Sequence, residues 1–144
     1  MFILILSNAF PAWAALGGDT VSILADQGQM EGSRKMTTAD SYTVHEIKAA
    51  NGTVVREYQG AEGHVFAVAW HGPFWPDMKQ ILGSYYDQYA QARQAQNGVR
   101  RGRHPVVINE PGLVVTIGGH PGWFVGKAYI PDKLPQAMRA EDIQ

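Results

Sequence analysis

The chain has 144 residues, of which 45% are apolar, and its 12 Lys and Arg nearly balance its 13 Asp and Glu. This size and composition fit one globular domain, and the balanced charge argues against a nucleic-acid-binding protein. The absence of Cys excludes disulfides, thiol nucleophiles, Cys-ligated metal centres and a Cys-linked lipid anchor.

The N-terminal stretch carries no charge before Asp19 and combines an apolar run, Phe2 to Leu6, with Ala12-Trp13-Ala14. Small residues two positions apart after an apolar run are typical of a signal-peptidase site. We therefore predict a signal peptide over residues 1–14 and a single mature domain over 15–144, in the periplasm or secreted. A buried N-terminal strand is the alternative. The run is too short to span a bilayer, so no transmembrane segment is expected after cleavage.

The next segments favour strands. Residues 15–41 are rich in Gly, Ser, Asp and Thr and predict one short edge strand at Val21–Leu24, followed by a loop. The stretches YTVHEIK and TVVREY then flank Ala50-Asn51-Gly52, a turn signal that predicts a β-hairpin. A further strand is expected from His64 to about His71.

The register of this hairpin follows from its charges. A two-residue loop would place Glu46 opposite Glu57, which is a repulsive cross-strand pair. A three-residue loop with a left-handed Gly52 instead pairs Glu46 with Arg56 and His45 with Glu57. We expect the second register.

An amphipathic helix is predicted after Pro76 and Asp77, both of which suit a first helical turn. Its periodicity extends over about 18 residues and ends before Asn97. Gly83 in its interior costs about 1 kcal/mol relative to alanine. The apolar residues at helical spacing are Met78, Ile81, Leu82, Tyr85, Tyr89 and Ala92.

The remaining chain predicts a loop over Val99–Gly112, with room for a short strand at Pro105–Ile108, and then two strands, LVVTI and WFVGKAYI. A polar C-terminal tail follows. Strands arranged around a single helix predict an α+β fold, an antiparallel sheet of about five strands with one long amphipathic helix packed on one face.

Strand alternation assigns the two faces of this sheet. Small residues allow a helix to approach closely, so we expect Ala67, Ala69, Gly126 and Ala128 beneath the helix. The opposite positions need a second cover, from the N-terminal segment, the Val99–Gly112 loop or a partner protein. These opposite positions are Phe66, Val68, Trp70, Trp123, Val125 and Tyr129.

Several stretches resemble one bacterial family: YTVHEI, NGTVVREY, VFAVAWHGPFWPDMKQILGSYYDQY and GKAYIPDKLP with AEDIQ. The family is the domain of unknown function 2844, a set of small exported proteins. The resemblance covers nearly all of the chain after residue 15 and is most specific from Val65 to Tyr89. It implies a single exported domain in a Gram-negative bacterium. It brings no reaction, substrate or catalytic residue.

The residues that could carry chemistry form no recognisable catalytic pattern. His64 and His71 are seven positions apart and point to opposite faces of a regular strand, and neither HExxH nor HxH occurs. No Ser lies in a GxSxG turn. His45 with Glu57 is the one acid–base couple that the predicted register brings together. We therefore assign no catalytic residue, metal ligand or cofactor.

Two groups of residues are candidates for binding, each with a structural alternative. Arg100, Arg101 and Arg103 form the one basic cluster, which is either an anion site or a solvated loop. Trp70, Trp123 and Tyr129 are either core residues or a binding or dimer face, where Trp and Tyr are enriched.

These observations favour a non-catalytic exported module that binds an envelope protein or self-associates through an aromatic sheet face. A small periplasmic enzyme that uses His45 and Glu57 is one alternative. A carrier for a small apolar ligand is another. A flat exposed aromatic patch would favour the binding module, and a deep polar pocket would favour the enzyme.

Overall fold

A computed structural model describes residues 16–96 and 105–144. The described residues form three α-helices and one sheet of seven antiparallel strands, which confirms the α+β class but corrects the expected number of about five strands. The helices are α1 (Thr20–Gln29), α2 (Met78–Leu82) and α3 (Tyr86–Gln96). The strands are β1 (Ser33–Thr38), β2 (Tyr42–Lys48), β3 (Val54–Gly60), β4 (Val65–Gly72), β5 (Val106–Glu110), β6 (Leu113–His120) and β7 (Trp123–Tyr129).

The sheet consists of two meanders that meet at its centre. The strand order is β1-β2-β3-β4-β7-β6-β5, so each meander contains only neighbours in sequence and the pairing of β4 with β7 joins them. Because β4 is central and covered on both sides, seven of its eight residues are buried. Such a strand reads as a continuous apolar run, VFAVAW, rather than as an alternating one.

The segment from Val21 to Leu24 belongs to helix α1, and the edge strand predicted there is wrong. Asp19 caps this helix, because its Oδ1 accepts a hydrogen bond from the Ser22 amide at 3.0 Å. Ile23 is fully buried, whereas Val21 is 64% exposed, so the short apolar patch spans two sides of a helix. The edge strand of this region is β1, which pairs with β2.

The hairpin between β2 and β3 has the predicted register. Glu46 faces Arg56, His45 faces Glu57, and Gly52 has a φ of 90°. The Arg56 Nε donates to Glu46 Oε2 at 2.7 Å across the pair. The Ala49 amide donates to the Thr53 carbonyl, which closes a three-residue loop. Avoidance of a like-charge pair therefore identified the register correctly.

The predicted long helix is interrupted at Gly83, so it is two helices, α2 and α3, joined by a 3-10 turn over Gly83–Tyr85. Asp77 Oδ1 accepts from the Lys79 and Gln80 amides and starts α2. Gly83 has a φ of 50° and a ψ of −123°, which ends α2 after only one turn. The glycine is therefore used for a backbone conformation, and not for close packing inside a continuous helix.

The three helices lie on one side of the sheet, which we call the helix face. Trp70 and Val68 of β4 lie on this face together with Ala128 of β7. The helices contribute Ile23, Met78, Ile81, Leu82 and Tyr89 to the same buried cluster. This cluster is the main core of the protein.

The opposite side of the sheet, the second face, carries two of the four small residues that were expected beneath the helix, whereas Gly126 and Ala128 lie on the helix face as expected. Ala67 pairs with Tyr129 and Ala69 pairs with Lys127, which places both alanines on the second face. The prediction is wrong for these two alanines and for Val68 and Trp70, because Val68 and Trp70 lie on the helix face beside Ala128 and Gly126. A methyl group on Gly126 would overlap the Trp70 indole. Close packing at this point of the helix face therefore comes from a large residue, Trp70, beside a small one, Gly126, on the neighbouring strand.

Candidate functional site

The C-terminal segment, residues 131–144, covers one half of the second face. Met138 and Ile143 are buried there against Tyr58, Phe66 and Ala67. The Tyr58 hydroxyl donates to the Gln144 carbonyl at 3.0 Å and anchors the end of this segment. This cover was expected from the N-terminal segment, the Val99–Gly112 loop or a partner. The structure assigns it to the tail, whose apolar residues are too widely spaced to indicate a helix or a strand.

The other half of the second face has no cover among the described residues. Trp123 and Val125 of β7 are 48% and 46% exposed there. The Trp123 indole lies beside the His71 imidazole, with their ring centroids 5.5 Å apart. The cross-strand neighbour of Val125 on β6 is Gly118. Because Gly118 has no side chain, the surface beside Val125 is shallow. An aromatic wall and a shallow apolar floor are thus open to solvent.

This surface forms a groove of about 530 Å³, which we call the aromatic groove. Its positively charged side chains are at the end near the C-terminal segment, where Arg56 of β3 and Lys127 of β7 lie on either side of Ala69 in the same row across the sheet. No Asp or Glu of residues 16–96 and 105–144 lines it. Its lining includes Arg56, His71, Pro105, Thr116, Gly118, Trp123, Val125, Lys127, Ile143 and Gln144.

The two cations of the groove have different partners. Arg56 is paired with Glu46 and also donates to the Gln144 carbonyl at 2.9 Å. Lys127 Nζ donates to the Ala140 carbonyl at 2.6 Å. Lys127 forms no ion pair with an Asp or Glu side chain of the described residues, and its second contact is the Ile143 carbonyl at 3.4 Å. The groove therefore has an apolar end and a positively charged end.

The structure separates the residues that the sequence placed in one binding face. Trp70 is 1% exposed in the main core, on the face opposite Trp123. Tyr129 lies on the second face but packs against the cluster beneath the C-terminal segment. Trp123 alone of these three is largely exposed. Arg100, Arg101 and Arg103 lie outside the described residues, as does the signal peptide predicted over 1–14.

His45 and Glu57 are neighbours across the β2–β3 pair, but both imidazole nitrogens of His45 have other partners. Arg34 Nη1 lies 2.8 Å from Nδ1, and Gln59 Oε1 lies 3.0 Å from Nε2. Because Arg34 can only donate, Nδ1 accepts and Nε2–H donates to Gln59. His45 and Glu57 are 2% and 1% exposed. This arrangement holds a neutral imidazole in place and leaves no ring nitrogen free for a substrate.

A buried carboxyl pair lies under α1 and was not recognised in the sequence. Asp26 of α1 and Glu57 of β3 are each 1% exposed, and each carboxyl group acts on the pKa of the other. Asp26 Oδ2 and Glu57 Oε2 are buried and receive no hydrogen bond from another group. A proton held between two carboxyl groups makes one of them a donor and satisfies both. Gln80 Nε2 donates to Asp26 Oδ1 at 2.6 Å.

Burial dominates the electrostatics of this pair. It raises the pKa of Asp26 to about 7, although the hydrogen bonds from Gln80 and Glu57 oppose the shift. Burial raises the pKa of Glu57 well above its usual range, and the nearby Asp26 adds to the shift. Arg34 acts in the opposite direction on Glu57. The pair therefore retains a proton at pH values where an exposed carboxyl group is ionised.

The pair was missed because its two halves lie in different predicted elements. With Val21–Leu24 taken as a strand, Asp26 fell in a solvated loop. Glu57 was given a basic cross-strand neighbour, His45, and its proximity to α1 could not be inferred. An available signal was the spacing of Ser22, Ile23 and Asp26 after a capping Asp19, which fits the buried side of a short helix.

Within residues 16–96 and 105–144, no group of three or more His, Asp or Glu side chains is arranged to hold a metal ion. In the same part of the chain, no helix has both the length and the apolar composition needed to cross a membrane.

Comparison with known proteins gave one match. The model of a family described as "Protein of unknown function (DUF2844)" matches residues 12–143. No curated protein and no solved structure matches the chain.

Proposed function

This chain belongs to the DUF2844 family, and we propose that it is a non-catalytic module that binds a protein partner in the aromatic groove. The observation that carries the proposal is the exposure of Trp123 and Val125 in a concave half of a sheet face whose other half is covered. An exposed Trp beside an apolar floor is the kind of surface that anchors a partner side chain.

The charge of the groove indicates the chemistry of the partner. An apolar side chain fits against Trp123 and Val125, and a carboxylate fits beside Lys127, whose charge no described carboxylate balances. We therefore propose an extended segment that presents an apolar residue next to an Asp or Glu. Complementary charge would favour this segment over a neutral one of the same shape.

The alternative functions have less support. His45 and Glu57 lie inside the protein, and the Arg34 and Gln59 side chains occupy both nitrogens of the imidazole. An enzyme that uses this couple would need another arrangement of these residues. A carrier of a small apolar ligand would favour an enclosed cavity, whereas the groove lies on an open sheet surface.

Replacing Trp123 by alanine is expected to weaken partner binding about tenfold or more, because truncation of an aromatic anchor costs about 2 kcal/mol. Stability should change little, because the side chain is 48% exposed. The test is capture from an envelope fraction with the immobilised mature chain. Titration with peptides that carry an apolar residue next to Asp, or next to Asn, then measures the affinity and the preference for charge.

The matched control is Trp75→Ala, since Trp75 is 46% exposed and lies outside the groove, in edge contact with Phe124. This variant should bind normally. Lys127→Gln, which keeps a donor for the Ala140 carbonyl, should remove the preference for Asp over Asn. Equal binding by Trp123→Ala and the unmodified chain would contradict the proposal.

We also propose that the protein acts outside the cytoplasm, after removal of residues 1–14. The support is the uncharged apolar start followed by Ala12-Trp13-Ala14. Mass spectrometry of the protein from its native host should find Ala15 at the N-terminus of the periplasmic or secreted form. Recovery of the cytoplasmic chain with Met1 intact would show that this segment is not a signal peptide.

A further inference from the structure

We propose that the Asp26–Glu57 pair makes α1 a proton-operated clamp, which is closed on the sheet while the pair holds a shared proton and released when both carboxyl groups ionise. The clamp lies on the helix face, whereas the aromatic groove lies on the second face. This inference is therefore independent of the proposed binding function.

Helix α1 is held mainly by polar contacts. Ile23 is its one buried apolar side chain, whereas Val21 and Leu24 are 64% and 49% exposed. The Arg34 Nε donates to Gln27 Oε1 at 3.2 Å, and Gln59 Nε2 donates to the Thr20 hydroxyl at 2.8 Å. An element with so little buried apolar area can open without unfolding the sheet.

The chain segments before and after α1 are both hydrogen-bonded to the sheet, so α1 can separate from the sheet while these segments stay bound. Before it, Gly17 and Gly18 exchange backbone hydrogen bonds with Val65, each at 2.8 Å. After it, β1 is paired along its length with β2. Gly17 has a φ of 87° and Glu31 has a φ of 48°, so the backbone turns sharply at both ends. The turn at Glu31 is therefore the natural hinge position, whereas Gly17 belongs to the anchored flank.

The groups that face the pair decide the direction of the switch. Gln80 of α2 is neutral and donates to Asp26, and Asp77 adds a further negative charge from the start of α2. On the sheet side, β1 contributes Arg34, the one cation of the described residues that lowers the pKa of Glu57, and β2 contributes His45. Arg34 is already shared between Gln27 and the His45 imidazole. One shared cation leaves two buried carboxylates poorly compensated.

The sign of the pH effect follows from this arrangement. Burial raises the pKa of both carboxyl groups in the closed form, whereas opening exposes them to water and returns the pKa to its ordinary range. Opening therefore releases at least one proton between about pH 4.5 and pH 7. For each proton released, the opening equilibrium shifts about tenfold per pH unit toward the open form as the pH rises.

Hydrogen exchange of the full mature chain tests the clamp. After correction for the intrinsic pH dependence of exchange, we expect the protection of the α1 amides to fall about tenfold per pH unit between pH 5.5 and 7. Protection of the β6 and β7 amides should remain higher throughout. In the double variant Asp26→Asn, Glu57→Gln, where neither side chain of the pair can ionise, the protection of α1 should be nearly independent of pH.

Two further variants keep the test decisive. Asp26→Asn and Glu57→Gln each leave one buried carboxyl group, so each single variant should retain the pH dependence of one proton or less, and the two replace the double variant if that variant does not fold. Asp40→Asn is the matched control, because Asp40 is exposed in the turn between β1 and β2. It should behave as the unmodified chain. Protection of α1 that is constant from pH 5.5 to 7, or that falls only together with that of β6 and β7, would overturn the proposal.

Discussion

Replacing Trp70 by alanine is expected to lower the free energy of unfolding by about 3–5 kcal/mol. Trp70 is 1% exposed at the centre of the main core, and its indole fills the space that Gly126 leaves on the neighbouring strand. Truncation would leave a cavity that the rigid central strands cannot close. Chemical denaturation followed by circular dichroism measures this loss.

Two variants separate this packing effect from other consequences of removing an indole. Trp70→Phe keeps most of the volume and removes an indole N–H that has no partner in the core, so it should cost much less than Trp70→Ala. Trp123→Ala removes a half-exposed indole and should change stability by less than about 1 kcal/mol. A loss below about 1 kcal/mol for Trp70→Ala would contradict the core assignment.

Stability is expected to decrease as the pH rises from 5 to 7, by about 1.4 kcal/mol per pH unit for each proton that the carboxyl pair retains. Burial raises the pKa of Asp26 to about 7 and that of Glu57 well above its usual range, whereas both groups ionise near their ordinary pKa in the unfolded chain. The folded state therefore binds more protons than the unfolded state in this interval. The stabilisation that the protonated carboxyl pair provides is complete at about pH 4 and is lost as the pH rises.

Urea denaturation at half-unit pH intervals measures this slope. In the double variant Asp26→Asn, Glu57→Gln the slope should nearly vanish, and at pH 8 this variant should be more stable than the unmodified chain. Asp40→Asn should leave the slope unchanged. A free energy of unfolding that rises between pH 5 and 7 would show that the pair is ionised in the folded protein. That result would also remove the basis for a clamp at α1.

The β2–β3 hairpin was predictable from the sequence because its information is local. One wrong register would have opposed Glu46 and Glu57, and the turn residues allowed the alternative. Charge pairing and a left-handed Gly52 therefore indicated the same register for the two strands. The strands β4, β6 and β7 were equally recognisable, because each is an apolar run bounded by Gly or Pro.

The two faces of the sheet could not be assigned in this way. Alternation shows which residues of one strand share a face, but it does not show how two strands align. Ala69 and Gly126 were placed together because both are small, whereas the actual alignment sets Gly126 beside Trp70. The alignment of β4 with β7 depends on long-range packing, and no local pattern encodes it.

Helix α1 and the C-terminal segment were misread for a related reason. Each buries very few apolar side chains, Ile23 in the helix and Met138 with Ile143 in the tail, so periodicity is weak in both. Their positions depend on polar contacts with distant residues, such as Gln80 with Asp26 and Tyr58 with Gln144. The carboxyl pair and the boundary of the aromatic groove both arise from these contacts.

The strand order also has a consequence for how the chain folds. Within each meander, neighbouring strands are close in sequence, so β1 to β4 and β5 to β7 can each form rapidly through short loops. The pairing of Val68 with Ala128 is different, because the segment of chain that it closes includes both α2 and α3. The helix face spans this junction, so α2 and α3 find their full packing surface only after the two halves have joined. We therefore expect docking of β4 on β7 to be the rate-limiting step of folding.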